Sequence, residues 1–267
     1  MSYETVLYDV SDRIATITLN RPDVLNAISK QMQRELLEAF TRAEKDEEVW
    51  TIIVTAAGRG FCPGADVSSI SESGKVSYEE TYLASFPQWE PPREATPPFR
   101  EMAKPIVCAV NGVCCGAGLD LITTSDIVIA SEKATFFDPH VSIGLVSARE
   151  MARLSRVLPF NICMRMALMG RHERMDAQRA YELGLVSEVV EHERLGERAR
   201  EIASTINQNA PLAVRGTRLA LRKGQGLPLY EAELLAEMYR ERVTKTEDAL
   251  EGPRSFKEKR APEWKAQ

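Results

Sequence analysis

Four short apolar runs rich in β-branched residues recur through the first half of the chain: RIATITL at 13–19, TIIVTA at 51–56, IVCAV at 106–110 and DIVIA at 126–130. Each gives way to polar or glycine-containing sequence, the punctuation expected of strands. Between the first two lies SKQMQRELLEAFTRAEKDEE, in which Ser29 can cap a helix start and Met32, Leu36, Leu37, Phe40 and Ala43 recur at helical spacing. Strands separated by an amphipathic helix predict βα units covering a largely buried sheet, so the class is α/β or α+β.

The texture then changes twice. Residues 71–104 carry Pro87, Pro91, Pro92, Pro97 and Pro98, which break any long periodicity and predict an irregular excursion of the kind that borders binding sites. From about Arg149 the pattern is helical, over 149–157, 160–169, 193–208, 211–222 and 229–243, with GLVSEVV at 184–190 as the clear strand candidate. A boundary near 195–210 divides the chain into a core, 1–195, and a helical C-terminal region, 196–267, of a kind that often packs on a neighbour.

With 267 residues, 44% of them hydrophobic, the chain has ample material for a core. Its 39 acidic and 34 basic residues leave a net charge of −5, which offers no general attraction for nucleic acid. The start, MSYETVLYDV, lacks a basic segment followed by an apolar run, and the longest nearly apolar stretch, 106–119, is too short to span a bilayer. The expectation is a cytoplasmic protein with neither nucleic acid nor membrane as partner. Five cysteines, Cys62, Cys108, Cys114, Cys115 and Cys163, form no C-x-x-C pair and predict reduced core thiols rather than disulfides or a zinc site. The three histidines have no metal-ligand spacing either, so no metal is expected. GxxxxGK[ST], GxGxxG and GxSxG are absent, which counts against P-loop hydrolysis, Rossmann redox chemistry and the commonest serine hydrolases.

Two segments can carry chemistry. In GRGFCPGADV (58–67) the glycines permit tight turns and Asp66 can cap a following helix, leaving N–H groups near Gly64 and Ala65 pointing outward. In KPIVCAVNGVCCGAGLDL (104–121) a strand ends at Val110, Asn111 and Gly112 turn, and Gly116, Ala117 and Gly118 open a helix whose first N–H groups favour negative charge. Two such donors aimed at one carbonyl form an oxyanion hole; glycines that merely allow tight packing are the plainer explanation of either segment alone.

Taken together, NRPDVLNAIS (20–29), GRGFCPGADV, KPIVCAVNGVCCGAGLDL, SDIVIASEKATFFDPHVSIGLV (125–146), AYELGLVSEVV (180–190) and EGPRSFKEKRAPEW (251–264) appear in the order and spacing of the crotonase, or enoyl-CoA hydratase/isomerase, superfamily, which the chain resembles over nearly its whole length. The resemblance implies a spiral of ββα turns with a helical C-terminal region, a homotrimer or a hexamer of paired trimers, and an acyl-CoA substrate. No cofactor is implied beyond the coenzyme A that the substrate carries. It places the oxyanion-hole donors at Ala65 and Ala117, where an alanine stands for the usual glycine. It places contacts to substrate or coenzyme A at Arg21, Leu25, Ala27, Cys62, Gly64, Asp66, Gly116, Phe256 and Lys259.

Hydratases of the family flank the double bond with two glutamates, and the matching positions here hold Asp120 and His140. Aspartate keeps the carboxylate but withdraws it by one methylene, and histidine keeps acid/base capacity with an ordinary pKa of about 6.5. Glu150 falls where some members carry a third acid/base group, although pairing with Arg149 or Arg153 is its plainer role. His172 and His192, in charged surroundings, read as surface groups. The implied activity is hydration or dehydration of an enoyl-CoA. C–C bond hydrolysis of a β-dicarbonyl compound and double-bond isomerisation are the alternatives within the superfamily, and a CoA-binding protein without catalysis is the alternative outside it.

Overall fold

A computed structural model describes residues 3–66 and 102–267; the proline-rich excursion lies almost wholly outside them. The expected strands form at β2 (Ile14–Leu19), β3 (Thr51–Ala56), β5 (Ile106–Val110) and β7 (Ile127–Ser131), which run parallel in a six-stranded sheet of order β1-β2-β3-β5-β7-β10. Two further strands close its edges. β1 (Val6–Ser11) is antiparallel to β2 through a hairpin whose turn residues, Asp12 and Arg13, both take positive φ, the twist-matching two-residue turn. β10 (Glu188–Val190) occupies the end of the expected 184–190 strand.

A second, four-stranded sheet is built from β4 (Gly60–Cys62), β6 (Val113–Cys115), β8 (Thr135–Phe137) and β9 (Met175–Asp176). Each of β3, β5 and β7 is followed directly by a short strand of this second sheet, so the chain winds as successive ββ turns, and Ala117–Thr124 forms the helix between the second and third of them. Between the sheets and α1 (Lys30–Lys45) Ile17, Met32, Phe40, Val54, Phe61, Cys108 and Phe136 form the main core. The opposite face of the large sheet buries Ile14, Ile53, Val107, Ala109 and Ile129 against Leu195, Ala199 and Ala203 of α6 (Leu195–Asn207), which is why those strands lack strict alternation. Each large apolar side chain so buried contributes about 1.5–3 kcal/mol.

Ser29 caps α1 through Met32 N–H (3.1 Å). The buried stripe is Met32, Leu36, Ala39, Phe40 and Ala43; Leu37, one residue off it and turned by about 100°, is 47% exposed. The C-terminal helices follow the periodicity: α3 (Arg149–Leu154), α4 (Phe160–Met169), α6, α7 (Pro211–Gly224) and α8 (Leu229–Val243), with α2 (Ala117–Thr124), α5 (Ala177–Glu182) and α9 (Glu247–Glu258) as further helices among the described residues. Among the described residues no helix is long and apolar enough to cross a membrane.

Two polar devices lock the loops that will matter. Asn26, fully buried with φ of 68°, donates to Ala57 O (2.9 Å) and Gly60 O (2.8 Å) and accepts from Arg21 N–H (2.7 Å). Asn111 donates to Gly58 O (2.7 Å), and a Cβ on neighbouring Gly112 would stand 2.1 Å from Arg59 O, so no other residue fits between β5 and β6.

Candidate functional site

The ends of β4 and β6 converge. Beyond Cys62 the chain turns at Gly64 with φ of 107°, and beyond Cys115 it turns at Gly116 with φ of 52°, two conformations that side chains other than glycine's rarely tolerate. A Cβ on Gly64 would lie 3.6 Å from Ala117 N, and one on Gly116 would lie 3.3 Å from Gly64 Cα, so the loops touch backbone to backbone. Ile28 pairs with the first loop, donating to Gly64 O (2.9 Å) and accepting from Asp66 N–H (3.0 Å), which leaves the intervening Ala65 N–H outside the pairing. Ala117 is the first residue of α2, where an N–H has no intrahelical acceptor. Among the described residues neither N–H has a hydrogen-bond partner. Two free donors on touching loops, one at a helix N-terminus, make a site for a developing oxyanion. The plainer role of these glycines also holds at Gly118, whose Cβ would stand 2.5 Å from Cys62 O.

His140 lies beside this pair, its Cε1 3.8 Å from a Cβ placed on Gly116. It opens a single 3-10 turn, His140–Ile143, and its main-chain N–H donates to Asp138 Oδ1 (2.9 Å). The imidazole Nδ1 meets both oxygens of the same carboxylate, at 2.9 Å and 3.1 Å, and Ser147 Oγ donates to Oδ2 (2.7 Å). Asp138 is wholly buried, whereas the His140 side chain keeps 21% exposure. The hydrogen bond to Asp138 raises the His140 pKa above its ordinary value; burial opposes this, and the charges of Asp138, Glu150 and Asp120 reinforce it. Burial pushes the Asp138 carboxyl up, but hydrogen bonds from the His140 ring, Ser147 and His140 N–H together hold it below the usual carboxylate range. Sequence reading missed Asp138 because Asp-Pro reads as a turn signal; the usable signal was its spacing, two residues before a histidine.

Asp120 and Glu150 exchange their expected environments. Arg149 and Arg153, one turn apart on α3, both turn to Asp120 rather than Glu150: Arg153 Nη1 reaches Oδ1 at 2.5 Å and Arg149 Nη2 reaches Oδ2 at 3.5 Å. Glu150 is 7% exposed and has no hydrogen bond or ion pair among the described residues, although it is close enough to His140 for its charge to act there. Its closeness to the imidazole makes Glu150 a candidate acid/base group beside His140.

The remaining expected residues divide. Arg21, Leu25, Ala27, Gly64 and Asp66 are gathered at one edge, with Arg21 Nη1 donating to Ala27 O (2.6 Å) and Asp66 Oδ2 (2.8 Å). Asp66 thus holds Arg21; any helix it was expected to cap lies outside the described residues. Cys62 is corrected from a pocket-lining residue to a buried one, with no exposed surface and a thiol that burial pushes up to about 12, so it neither lines a pocket nor reacts. All five cysteines are buried and free. Phe256 is 87% exposed near the end of α9 and Lys259 caps that helix in a left-handed conformation; the tail beyond folds back on the helix, Lys265 and Ala266 N–H donating to Asp248 at 2.7 and 3.0 Å. His172 is exposed, and His192 is half-buried with Nδ1 3.1 Å from Ser131 Oγ. Among the described residues no cluster of His, Cys, Asp and Glu could hold a metal ion.

Two sheets wound from ββ turns, with free N–H groups where glycine loops of successive turns meet, define the crotonase class of α/β fold. The sequence profile of the enoyl-CoA hydratase/isomerase family matches residues 9–267, and the chain belongs to that family. It is 34% identical over 261 residues to the (E)-benzylidenesuccinyl-CoA hydratase of Thauera aromatica, covering 96% of this chain and 97% of that protein. It is 34% identical over 258 residues to the carnitinyl-CoA dehydratase of Proteus mirabilis, covering 94% and 95%. The crystal structure of an enoyl-CoA hydratase/isomerase from Mycobacterium paratuberculosis superposes with a TM-score of 0.89 at 62% identity, with all of both chains covered. An enoyl-CoA hydratase subunit from Geobacillus kaustophilus gives 0.89 at 29% identity, with 99% of both chains covered.

Proposed function

We propose that the protein adds water to, or removes it from, the Cα=Cβ bond of an enoyl-CoA thioester. The observation that carries this reading is the pair of free N–H groups, Ala65 and Ala117, beside His140. Relatives named as hydratases and as a dehydratase of CoA thioesters support the same reaction. The thioester oxygen accepts from both N–H groups, and their hold strengthens as an enolate forms. In hydration, water's oxygen bonds to Cβ, the double-bond electrons move to the thioester oxygen, and the enolate then takes a proton at Cα from the His140 imidazolium. Asp120 and Glu150, whose charges both act on His140, are the two carboxylates available to the water. Glu150 takes its proton, since the Asp120 oxygens are engaged by Arg153 and Arg149.

The direct test is turnover of a panel of enoyl-, 3-hydroxyacyl- and β-ketoacyl-CoA thioesters in 18O-labelled water. Label entering the β-position of an enoyl thioester is expected. Movement of the double bond without label, cleavage of a carbon–carbon bond, or tight binding without turnover would each replace hydration with the corresponding alternative. Glu150→Gln is expected to lower kcat about 10²-fold, with unchanged circular dichroism showing that the fold is retained. A variant with unchanged turnover would return the water proton to Asp120.

The assembly belongs to the same proposal. α7 and α8 leave Leu221, Leu229, Tyr230 and Met238 between 67% and 75% exposed, apolar side chains that a neighbouring subunit could cover. Light scattering is expected to give three or six times the 29.9 kDa of one chain; a stable monomer would refute the assembly.

A further inference from the structure

We propose that Asp138, seated by Ser147, is a positioning residue that fixes His140 with its proton on Nδ1 and turns Nε2 toward the acyl group bound at Ala65 and Ala117. The proposal rests on the reading of His140 as the donor of the Cα proton, and it adds the device that makes an imidazole serve there.

A carboxylate only accepts hydrogen bonds, so an Nδ1 placed 2.9 and 3.1 Å from the two Asp138 oxygens must be the donor. In the neutral ring Nε2 is then the lone-pair nitrogen, and in the imidazolium it carries the transferable proton. Four hydrogen-bond contacts from three groups converge on the carboxylate: the His140 ring twice, His140 N–H and Ser147 Oγ. Accepting the His140 main-chain N–H would need only a neutral acceptor, and the asparagine side-chain oxygen serves that purpose as well as aspartate. A charge at 0% exposure is costly, and the group it serves is the ring.

The surroundings agree with this division of roles. Glu150 and Asp120 face His140 from α3 and α2, and Asp120 is matched by Arg149 and Arg153. On the far side Cys115 lies near Asp138 and Arg174, whose guanidinium stacks 4.5 Å over the Phe137 ring; burial pushes the Cys115 thiol to about 12, so it stays uncharged. In the proton-transfer step the Nε2–H bond breaks with its electrons left on nitrogen, the enolate pair forms the Cα–H bond, and a neutral imidazole remains with Nδ1–H on Asp138. Dehydration runs the same atoms in reverse. Asp138 touches no substrate in either direction; it keeps one nitrogen committed so that the other is always the reacting one.

The test is nitrogen NMR on histidine-labelled full-length protein, followed by kinetics of Asp138→Asn. In the wild type the neutral His140 ring is expected to carry its proton on Nδ1 and to titrate above the ordinary value of about 6.5. In Asp138→Asn the proton is expected to move to Nε2 and the midpoint to fall. Turnover should drop about 10- to 100-fold, the scale seen when a partner orienting a reacting group is removed. KM should hold, and the alkaline limb of the kcat profile should shift by as much as the NMR midpoint. A wild-type ring protonated on Nε2, or a variant whose midpoint and pH profile do not move, would overturn the proposal, and the wild-type measurement stands even if the variant fails to fold. A moved midpoint with unchanged turnover would leave the tautomer in place and refute the part assigned to His140 in the reaction.

Discussion

His140→Gln is expected to lower turnover of an enoyl-CoA by about 10²–10⁴-fold, the usual contribution of a general acid or base, while the thioester still binds. Glutamine keeps polarity and comparable bulk but exchanges no proton near neutrality. The pH dependence follows from the direction of the shift. Asp138 raises the His140 pKa, so the imidazolium that protonates Cα persists above the ordinary histidine range, and kcat for hydration falls only as pH rises through the raised value. The same group bears on stability: its contribution is full below about 6.5 and is lost as pH rises through the folded-state value. Asp138, whose pKa is lowered, contributes stability that is present above the ordinary carboxyl range and is lost as pH falls through the folded-state value. His140→Glu is a sharper comparison. It brings back the residue usual in hydratases, but against buried Asp138 it sets a second carboxylate in the ring's place, and two like charges there cannot both ionise. The single variant should therefore be poor, and Asp138→Asn combined with His140→Glu should recover part of the loss. Normal turnover in His140→Gln would make the ring structural and pass the proton chemistry to Glu150 and Asp120.

Some of this site is legible in the sequence for a definite reason. β3 and β5 are covered on both faces, so burial writes them as unbroken apolar runs, and the glycines at 64 and 116 stand where positive φ demands them. The second sheet is not legible, because strands of two or three residues such as β4, β8 and β9 are shorter than any period that could reveal them. α9 was hidden by Pro253, which reads as a helix breaker but is tolerated inside this helix. The side-chain pairings were hidden for a different reason. Arg153 is 33 residues from Asp120 and closer in sequence to Glu150, so local spacing favours the wrong partner, and only the packing of α3 on α2 decides between them. Asp138 stands only two residues before His140 but was masked by its own second role: the carboxylate that accepts the His140 main-chain N–H also holds the ring.

Ala117→Pro tests the backbone half of the site, and here the local geometry makes the substitution unusually clean. Ala117 is the first residue of α2, the helical position where proline is best tolerated, because its fixed φ suits the helix and no intrahelical bond is lost. The preceding residue is Gly116, without the Cβ that ordinarily clashes with a following proline ring. The first bond of the turn, Leu119 N–H to Gly116 O at 2.8 Å, uses neither the nitrogen nor the side chain of residue 117. What proline removes is the N–H itself, one of the two donors assigned to the thioester oxygen. The expected loss is about 10²–10³ in kcat, equivalent to about 2.7–4 kcal/mol of transition-state stabilisation, with unchanged circular dichroism and unfolding temperature. Since the donor's hold is strongest on the enolate, affinity for an enolate-like CoA analogue should fall with kcat, while affinity for a saturated acyl-CoA should change far less. If the folded variant turned over at the wild-type rate, the Ala117 N–H would have no part in the reaction, and the contact between the Gly64 and Gly116 loops would be packing alone.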